Sequence, residues 1–480
     1  MSVTTEPPRT DHLDQLDVHG DVGVLDRPSL LAPPYRSMLF GVIGVVVAVA
    51  FEAIAVATAM PVAARELDGL RSYGLAFSIF LTTSLLGMVA AGEVSDRRGP
   101  VLPFLAASGV FVLGLAIAGS AQSMWMLVLA RGVQGFGAGL NIVALYVVVA
   151  RAFPEELRPR VFSAMSSGWI LPALIGPPIA GFLADQVSWR WVFLGVLPLM
   201  VIATALVLPN LRGLDERAAD AAPAVARRSR LLPALGAALG TGLLQSSGQL
   251  LSWVSLPLLA GALALLVPSV PRLLPSGALR LARGLPTVIV LRGVFTGAFF
   301  GAETFVPLML VEERGLATTL AGLSLTGGAL TWAAGSWFQG RPQLRVTRSR
   351  LVTVGLALVA VGIATTATVL AAPVPAFMAA VGWLVGGLGM GLGITSLSVC
   401  VLALSPESEQ GANTAALQVS DALGAIVMIG AAGAIFAGLH ERGGDNAGVF
   451  LLIFAVTATV AALGALVAPR VATRQEPVRQ

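Results

Sequence analysis

Apolar runs of about 18 to 28 residues recur along the chain from Ser37 to Val467, and no other feature limits the possible folds so sharply. A hydrocarbon core of about 30 Å takes roughly 20 helical residues to cross. Inside it every backbone polar group must be satisfied within the spanning structure. Runs of this length therefore imply an all-α polytopic membrane protein. Composition agrees: 56% of residues are hydrophobic and 12% charged, with mean hydropathy +0.84, whereas a soluble domain carries about 25% charge.

The runs predict helices at about 37–63, 74–95, 101–120, 122–150, 160–184 and 188–209, a hairpin at 231–247 and 251–268, and six more at about 285–311, 317–338, 351–371, 374–404, 411–438 and 447–468. That is fourteen transmembrane helices. At about 1.5 Å per residue the hairpin helices reach only about 26 Å, so twelve spans with an interfacial hairpin is the alternative; the even number leaves the orientation unchanged. The expected organisation is a disordered cytosolic tail at 1–36 and a six-helix bundle at 37–210. A linker carrying the hairpin follows at 211–284, then a second six-helix bundle at 285–468 and a cytosolic tail at 469–480.

All thirty basic residues are arginine, and the pI of about 10.1 raises nucleic acid as a partner. No basic cluster is interleaved with base-stacking aromatics, so no nucleic acid is expected. The arginines instead orient helices. With the N-terminus inside, 23 fall on the cytosolic side and five (Arg65, Arg71, Arg190, Arg314, Arg442) on the outer side, while Arg131 and Arg292 lie within spans. The positive-inside rule then places both termini in the cytosol and the protein in the inner (cytoplasmic) membrane. The first 36 residues are polar and acidic and carry no short apolar core with a cleavage site, so they read as a tail and not a signal peptide. The one cysteine, Cys400, lies in an apolar run, and His12, His19 and His440 lie outside the runs. Neither a disulfide framework nor a metal site is expected.

The chain also resembles itself. Pro61, Glu66, Gly69 and Leu70 close the first span, and Pro307, Glu312, Gly315 and Leu316 repeat that spacing at the ninth. Gly135-Phe136-Gly137-Ala138-Gly139-Leu140 is echoed by Gly387-Leu388-Gly389-Met390-Gly391-Leu392. Two landmarks in the same order predict a duplicated six-helix unit, with a substrate site between the halves near the bilayer midplane.

Three segments carry more specific chemistry. Gly92-Glu93-Val94-Ser95-Asp96-Arg97-Arg98-Gly99 joins spans two and three. In it Gly92 permits close helix approach, Gly99 permits a tight turn, and Asp96 can face the positive N-terminal end of the span starting near Gln410. An ordinary solvated turn is the plainer reading. Arg131, Gln134, Gly135 and Gly137 lie in span four. A guanidinium at that depth faces a partner or a wet cavity, unless it snorkels to the outer interface. Gly168-Trp169, Pro172, Gly176, Pro177, Pro178 and Gly181 lie in span five, where prolines kink a helix and glycines admit a neighbour. A merely bent structural helix is the alternative.

Together these segments resemble the signatures of the major facilitator superfamily. The span-five pattern is similar to that of its exporting, antiporter branch, and Trp189-Arg190-Trp191 to the fourteen-span drug:proton antiporter group. The chain departs at Pro100, where the family usually has another basic residue, and Gly335-Ser336-Trp337-Phe338-Gln339-Gly340-Arg341 lacks the acid of its first-half counterpart. The resemblance implies a proton-coupled exporter that rocks its halves. It also implies a cytosolic gate at Gly92, Asp96, Arg97 and Gly99, and an antiporter motif at Pro172, Gly176, Pro177 and Gly181.

Acids at membrane depth are functional candidates. Glu52 sits mid-span in helix one, Glu303 in the outer half of the ninth span and Asp421 in the inner half of the thirteenth. Glu52 and Arg131 lie at similar depth and so can meet. These four residues are the expected proton-coupling set; a neutral acid hydrogen-bonded to a neighbouring helix is the alternative for each carboxyl. The expected activity is efflux of hydrophobic or amphipathic small molecules, by a monomer in the lipid bilayer, with the proton gradient as energy source and no cofactor. A lipid or metabolite exporter would share every motif. A membrane-embedded enzyme or sensor is disfavoured, because the spans carry no histidine, metal-ligand cluster or nucleophile motif.

Overall fold

The computed structural model describes residues 30–211, 231–250, 255–339, 341, 346–406, 409–441 and 444–472. Among these the regular structure is entirely helical. The first half contains α1 (Pro33–Glu66), α2 (Tyr73–Arg98), α3 (Val101–Gly119), α4 (Met124–Ala152), α5 (Arg158–Ser167), α6 (Ile170–Gln186), α7 (Arg190–Leu194) and α8 (Val196–Val207). Next come α9 (Leu231–Leu250) and α10 (Ser255–Leu273). The second half contains α11 (Leu285–Glu303), α12 (Val306–Glu312), α13 (Thr318–Gln339), α14 (Arg348–Ala367), α15 (Met378–Leu404), α16 (Gln410–Leu439) and α17 (Ala447–Val467).

Three of the expected continuous spans are broken, and proline explains each break. Proline has no N–H, so the carbonyl four residues earlier loses its helical donor. Pro172 strips Gly168, and the chain breaks between α5 and α6; Pro198 strips Leu194, between α7 and α8; Pro307 strips Glu303, between α11 and α12. Pro61 in α1 and Pro177 and Pro178 in α6 leave their helices continuous. The bend expected of the span-five motif is thus centred on Gly168-Trp169, upstream of Gly176-Pro177.

Glycines determine how the helices nest. A Cβ on Gly135 would lie 2.1 Å from the Phe80 carbonyl oxygen of α2, and one on Gly137 would lie 2.6 Å from the Phe111 nitrogen of α3. In the second half a Cβ on Gly387 would lie 2.1 Å from the Gly328 oxygen of α13, and one on Gly389 would lie 2.4 Å from the Gly355 oxygen of α14. The two glycine runs therefore do equivalent work: α4 wedges between α2 and α3 as α15 wedges between α13 and α14.

The halves meet along two seams, α2 against α16 and α6 against α13, with α1 also touching α13. Helices α9 and α10 pack antiparallel, Gly236 facing Ser269 and Gly240 facing Leu266. Helix α9 lies against both α2 and α16.

Twelve helices are long and apolar enough to cross a membrane among the described residues, and α10 is one of them. Helices α9 and α13 are outside that set. In α13 the threonines, serines and Gln339 dilute the apolar run, yet the helix is packed between α6 and α15.

Candidate functional site

The end of the bundle carrying the last turn of α1 and the first turn of α2 is termed distal; the opposite end carries the first residue of α1. Among the described residues, the hydrogen bonds and ion pairs that join the halves lie at the distal end. Arg65 pairs with Glu312 at 2.5 Å. The Tyr73 hydroxyl donates to the Thr304 carbonyl at 2.8 Å, next to the break made by Pro307. The Asp185 carboxylate accepts from the Thr318 amide (3.2 Å), the Thr319 amide (2.9 Å) and the Thr319 hydroxyl (2.7 Å). These are the first amides of α13, which have no partner within their own helix, so a residue of one half caps a helix of the other. Just beyond the span, burial and the nearby Asp445 and Glu312 push the Glu313 carboxyl above its ordinary range.

Deeper in the first half, Glu52 and Arg131 form a completely buried ion pair. Arg131 also donates to Gln134 Oε1 at 2.9 Å and to the Ala76 carbonyl at 3.3 Å, and its guanidinium lies 4.2 Å from the Phe80 ring centroid. Snorkelling is thereby excluded. The second Glu52 oxygen, Oε2, and Gln134 Nε2 are buried without a hydrogen-bond partner.

In the second half Arg292 of α11 binds Asp421 of α16 at 2.6 Å, and also reaches the Ile394 carbonyl (3.3 Å) and the Ser398 hydroxyl (3.1 Å) of α15. Asp421 is thus an ion-paired carboxylate. Glu303 is half-buried and accepts from Trp383 Nε1 at 3.3 Å.

The span-five motif forms the α6–α13 seam. Pro172, Gly176, Pro177 and Gly181 are buried. A Cβ on Gly181 would lie 2.4 Å from the Thr319 Cα, whereas one on Gly176 would make ordinary contact with Phe51 at 3.7 Å. At the opposite end Gly99 adopts φ 81° and turns the chain into α3. Gly92 departs from its expected role, since a Cβ there would meet nothing within 4 Å. The side chains of Asp96 and Arg97 lie outside the described residues; both positions belong to the last turn of α2.

Several residues went unread in the sequence. Asp185 carries no signal of its role in the sequence, because only the tertiary fold brings α13 to it. The Trp189 ring is buried, donating to Glu66 at 2.8 Å, with Arg190 on the same carboxylate at 3.3 Å. Of the pair Trp189 and Trp191, Trp191 is the exposed one. Away from all of these, an apolar cavity of about 590 Å3 lies between α14 and α17, lined by Ala364, Leu370, Leu451 and Phe454 among others. None of the intramembrane acids lines it.

Two halves with matching helix order, joined along two seams, are the architecture of one transporter class, and the family model named Major Facilitator Superfamily matches residues 41–364. The chain belongs to the major facilitator superfamily. Within the superfamily it is similar to the multidrug transporter protein MdtP of Bacillus subtilis, 26% identical over 415 residues, covering 81% of this chain and 74% of that protein. It is also similar to an uncharacterized MFS-type transporter of Mycobacterium tuberculosis, 28% identical over 441 residues and 86% of this chain; the chain spans 61% of that relative's length. Among solved structures, an auto-inhibited POT family peptide transporter shares the fold, with TM-score 0.64 at 16% identity, covering 91% of this chain and 98% of that one.

Proposed function

We propose that this superfamily member is a proton-coupled antiporter that exports hydrophobic or amphipathic small molecules across the cell membrane, with both termini in the cytosol and fourteen spans including α9 and α10. The observation that carries the reading is the buried Glu52–Arg131 pair, with Gln134 beside it. A buried charge pair is stable only while both partners stay ionised or both are neutralised. Protonating Glu52 removes the counter-charge of Arg131, and a substrate or a conformational change that reorganises the pair is thereby coupled to a proton. One Glu52 oxygen is free of hydrogen bonds and so available to take that proton. The efflux direction rests on the likeness to MdtP, a named multidrug transporter, and on the proline–glycine seam of α6. Alternating access requires one end to close while the other opens; the ion pair and hydrogen bonds at the distal end supply one closed gate, and Gly92, Asp96, Arg97 and Gly99 are proposed to supply the other.

The test is a panel of hydrophobic and amphipathic dyes in proteoliposomes with an imposed pH gradient, proton and dye fluxes being recorded together. Wild-type protein is expected to accumulate at least one dye against its gradient. Glu52→Gln is expected to lose uphill accumulation at least tenfold while still letting dye run downhill. Full gradient-driven accumulation by Glu52→Gln would remove Glu52 from the coupling step.

A further inference from the structure

At the end opposite the distal one, three segments of the second half that are remote in sequence meet. The short turn Ala468–Val471, which follows α17, lies against both α11 and α14. The Gly284 amide, at the head of α11, donates to the Arg470 carbonyl at 2.9 Å. The Ser349 hydroxyl, in the first turn of α14, donates to the Ala468 carbonyl at 3.3 Å. Ala468 and Val471 are buried, so the turn is seated in the bundle.

This seating gathers three arginines around one turn. Arg283 precedes Gly284, Arg350 follows Ser349, and Arg470 lies within the turn; all three are exposed. Among the described residues none of them takes part in an ion pair. Two other arginines at this end are already engaged. Arg341 lies over the Trp337 ring at 3.9 Å, and Arg348 donates to the side chain and carbonyl of Gln339. Among the described residues, the acid at this end of the second half outside the spans is Glu409, in front of α16. The positive-inside rule accounts for arginine at this end in general, but it asks for no convergence. Like charges brought together repel, and an anion bound among them offsets that repulsion.

The surface leading inward from the three arginines is apolar. Val354 lies one turn beyond Arg350 on α14, and Leu466 lies one turn before Arg470 on α17. Both are exposed, as are Val361 and Leu463 further along, and α14 and α17 pack against each other. A soluble anion would match the arginines and leave these strips uncovered. An anionic phospholipid matches both, because arginine pairs bidentately with phosphate oxygens and the tails lie on the apolar strips. We propose that Arg283, Arg350 and Arg470 bind the phosphate of an anionic phospholipid, with its tails along α14 and α17. In the orientation proposed above, the lipid belongs to the cytosolic leaflet. The site is independent of what the protein transports.

The test uses purified full-length protein in a neutral detergent. It is titrated with phosphatidylglycerol or with phosphatidylcholine of the same acyl chains, and bound lipid is read by native mass spectrometry. Wild-type protein is expected to bind phosphatidylglycerol at least tenfold more tightly. An arginine near the membrane surface contributes roughly fivefold to such binding. Arg350→Gln with Arg470→Gln is therefore expected to lose at least tenfold for phosphatidylglycerol and nothing for phosphatidylcholine. Arg470→Gln alone is expected to lose about fivefold, and it carries the test if the double variant aggregates. Arg36→Gln with Arg160→Gln removes the same charge from exposed positions at this end of the first half, and should stay within twofold of wild type. Equal losses in the two double variants would reduce the effect to general surface charge and overturn the site, as would a wild type without preference between the lipids. Displacement of the lipid by glycerol phosphate, which has the head chemistry without the tails, would overturn the lipid in favour of a soluble phosphate.

Discussion

Glu52 and Arg131 are 79 positions apart, and each is buried only because the other is present. Removing one partner of a buried pair strands a charge, at a cost of about 3–5 kcal/mol, while replacing both can be nearly neutral. Thermal unfolding in detergent should therefore show Arg131→Gln and Glu52→Gln each lowering stability clearly, and the double variant Glu52→Gln with Arg131→Gln recovering much of the loss. Strictly additive losses would mean that the pair is not coupled. The sequence allowed this contact, because both residues sit at comparable depths in spans one and four. It did not point to the partner of Asp421: Arg292 was placed within a span, but which helix it faces depends on rotation about α11, and apolar runs with glycines on every side do not encode rotation. Asp185 was hidden for the same reason, since the amides it caps belong to a helix more than 130 positions away.

At the scale of helices, the glycine runs at 135–139 and 387–391 and the prolines at 172, 198 and 307 explain most of the local geometry, and the glycine repeat was legible in advance. The placement of α9 was not, because its small and apolar residues do not single out a face, and the residue that marks the contact is the buried Gln245. That residue is 5% exposed; its Oε1 accepts from the Ser78 hydroxyl of α2 at 2.8 Å, and its Cγ would lie 2.8 Å from a Cβ on Gly430 of α16. Its Nε2 is buried without a partner. Ser78→Ala therefore strands the other amide atom as well, costing about 1–3 kcal/mol. Adding Gln245→Leu removes the buried amide and should recover most of that loss in the same unfolding assay. If Ser78→Ala unfolds with wild-type stability, α9 does not dock on α2.

For the whole molecule, the asymmetry between its two ends matters most. Among the described residues, the side-chain bonds between the halves lie at the distal end, which is latched by Arg65–Glu312, Tyr73–Thr304 and Asp185 on α13. In the orientation proposed from the arginine bias, this latched face is the outer one. The Arg65–Glu312 and Asp185–Thr319 contacts are partly exposed, and exposed helix-end charges are worth about 0.3–1 kcal/mol. A single contact therefore shifts the balance of states by roughly twofold to fivefold, and a rocking cycle can break them in turn. A covalent latch cannot be broken. Cys400 is the single native cysteine, so Arg65→Cys with Glu312→Cys in a Cys400→Ser background leaves only the engineered pair. A short, membrane-impermeant bis-methanethiosulfonate added outside intact cells should bridge the two, cut transport at least tenfold, and release it on reduction. Failure to label from outside would reverse the orientation inferred from arginine. Bridging that leaves transport unchanged would mean that the halves do not separate at this end, and that the cycle is not a rocking of one bundle against the other.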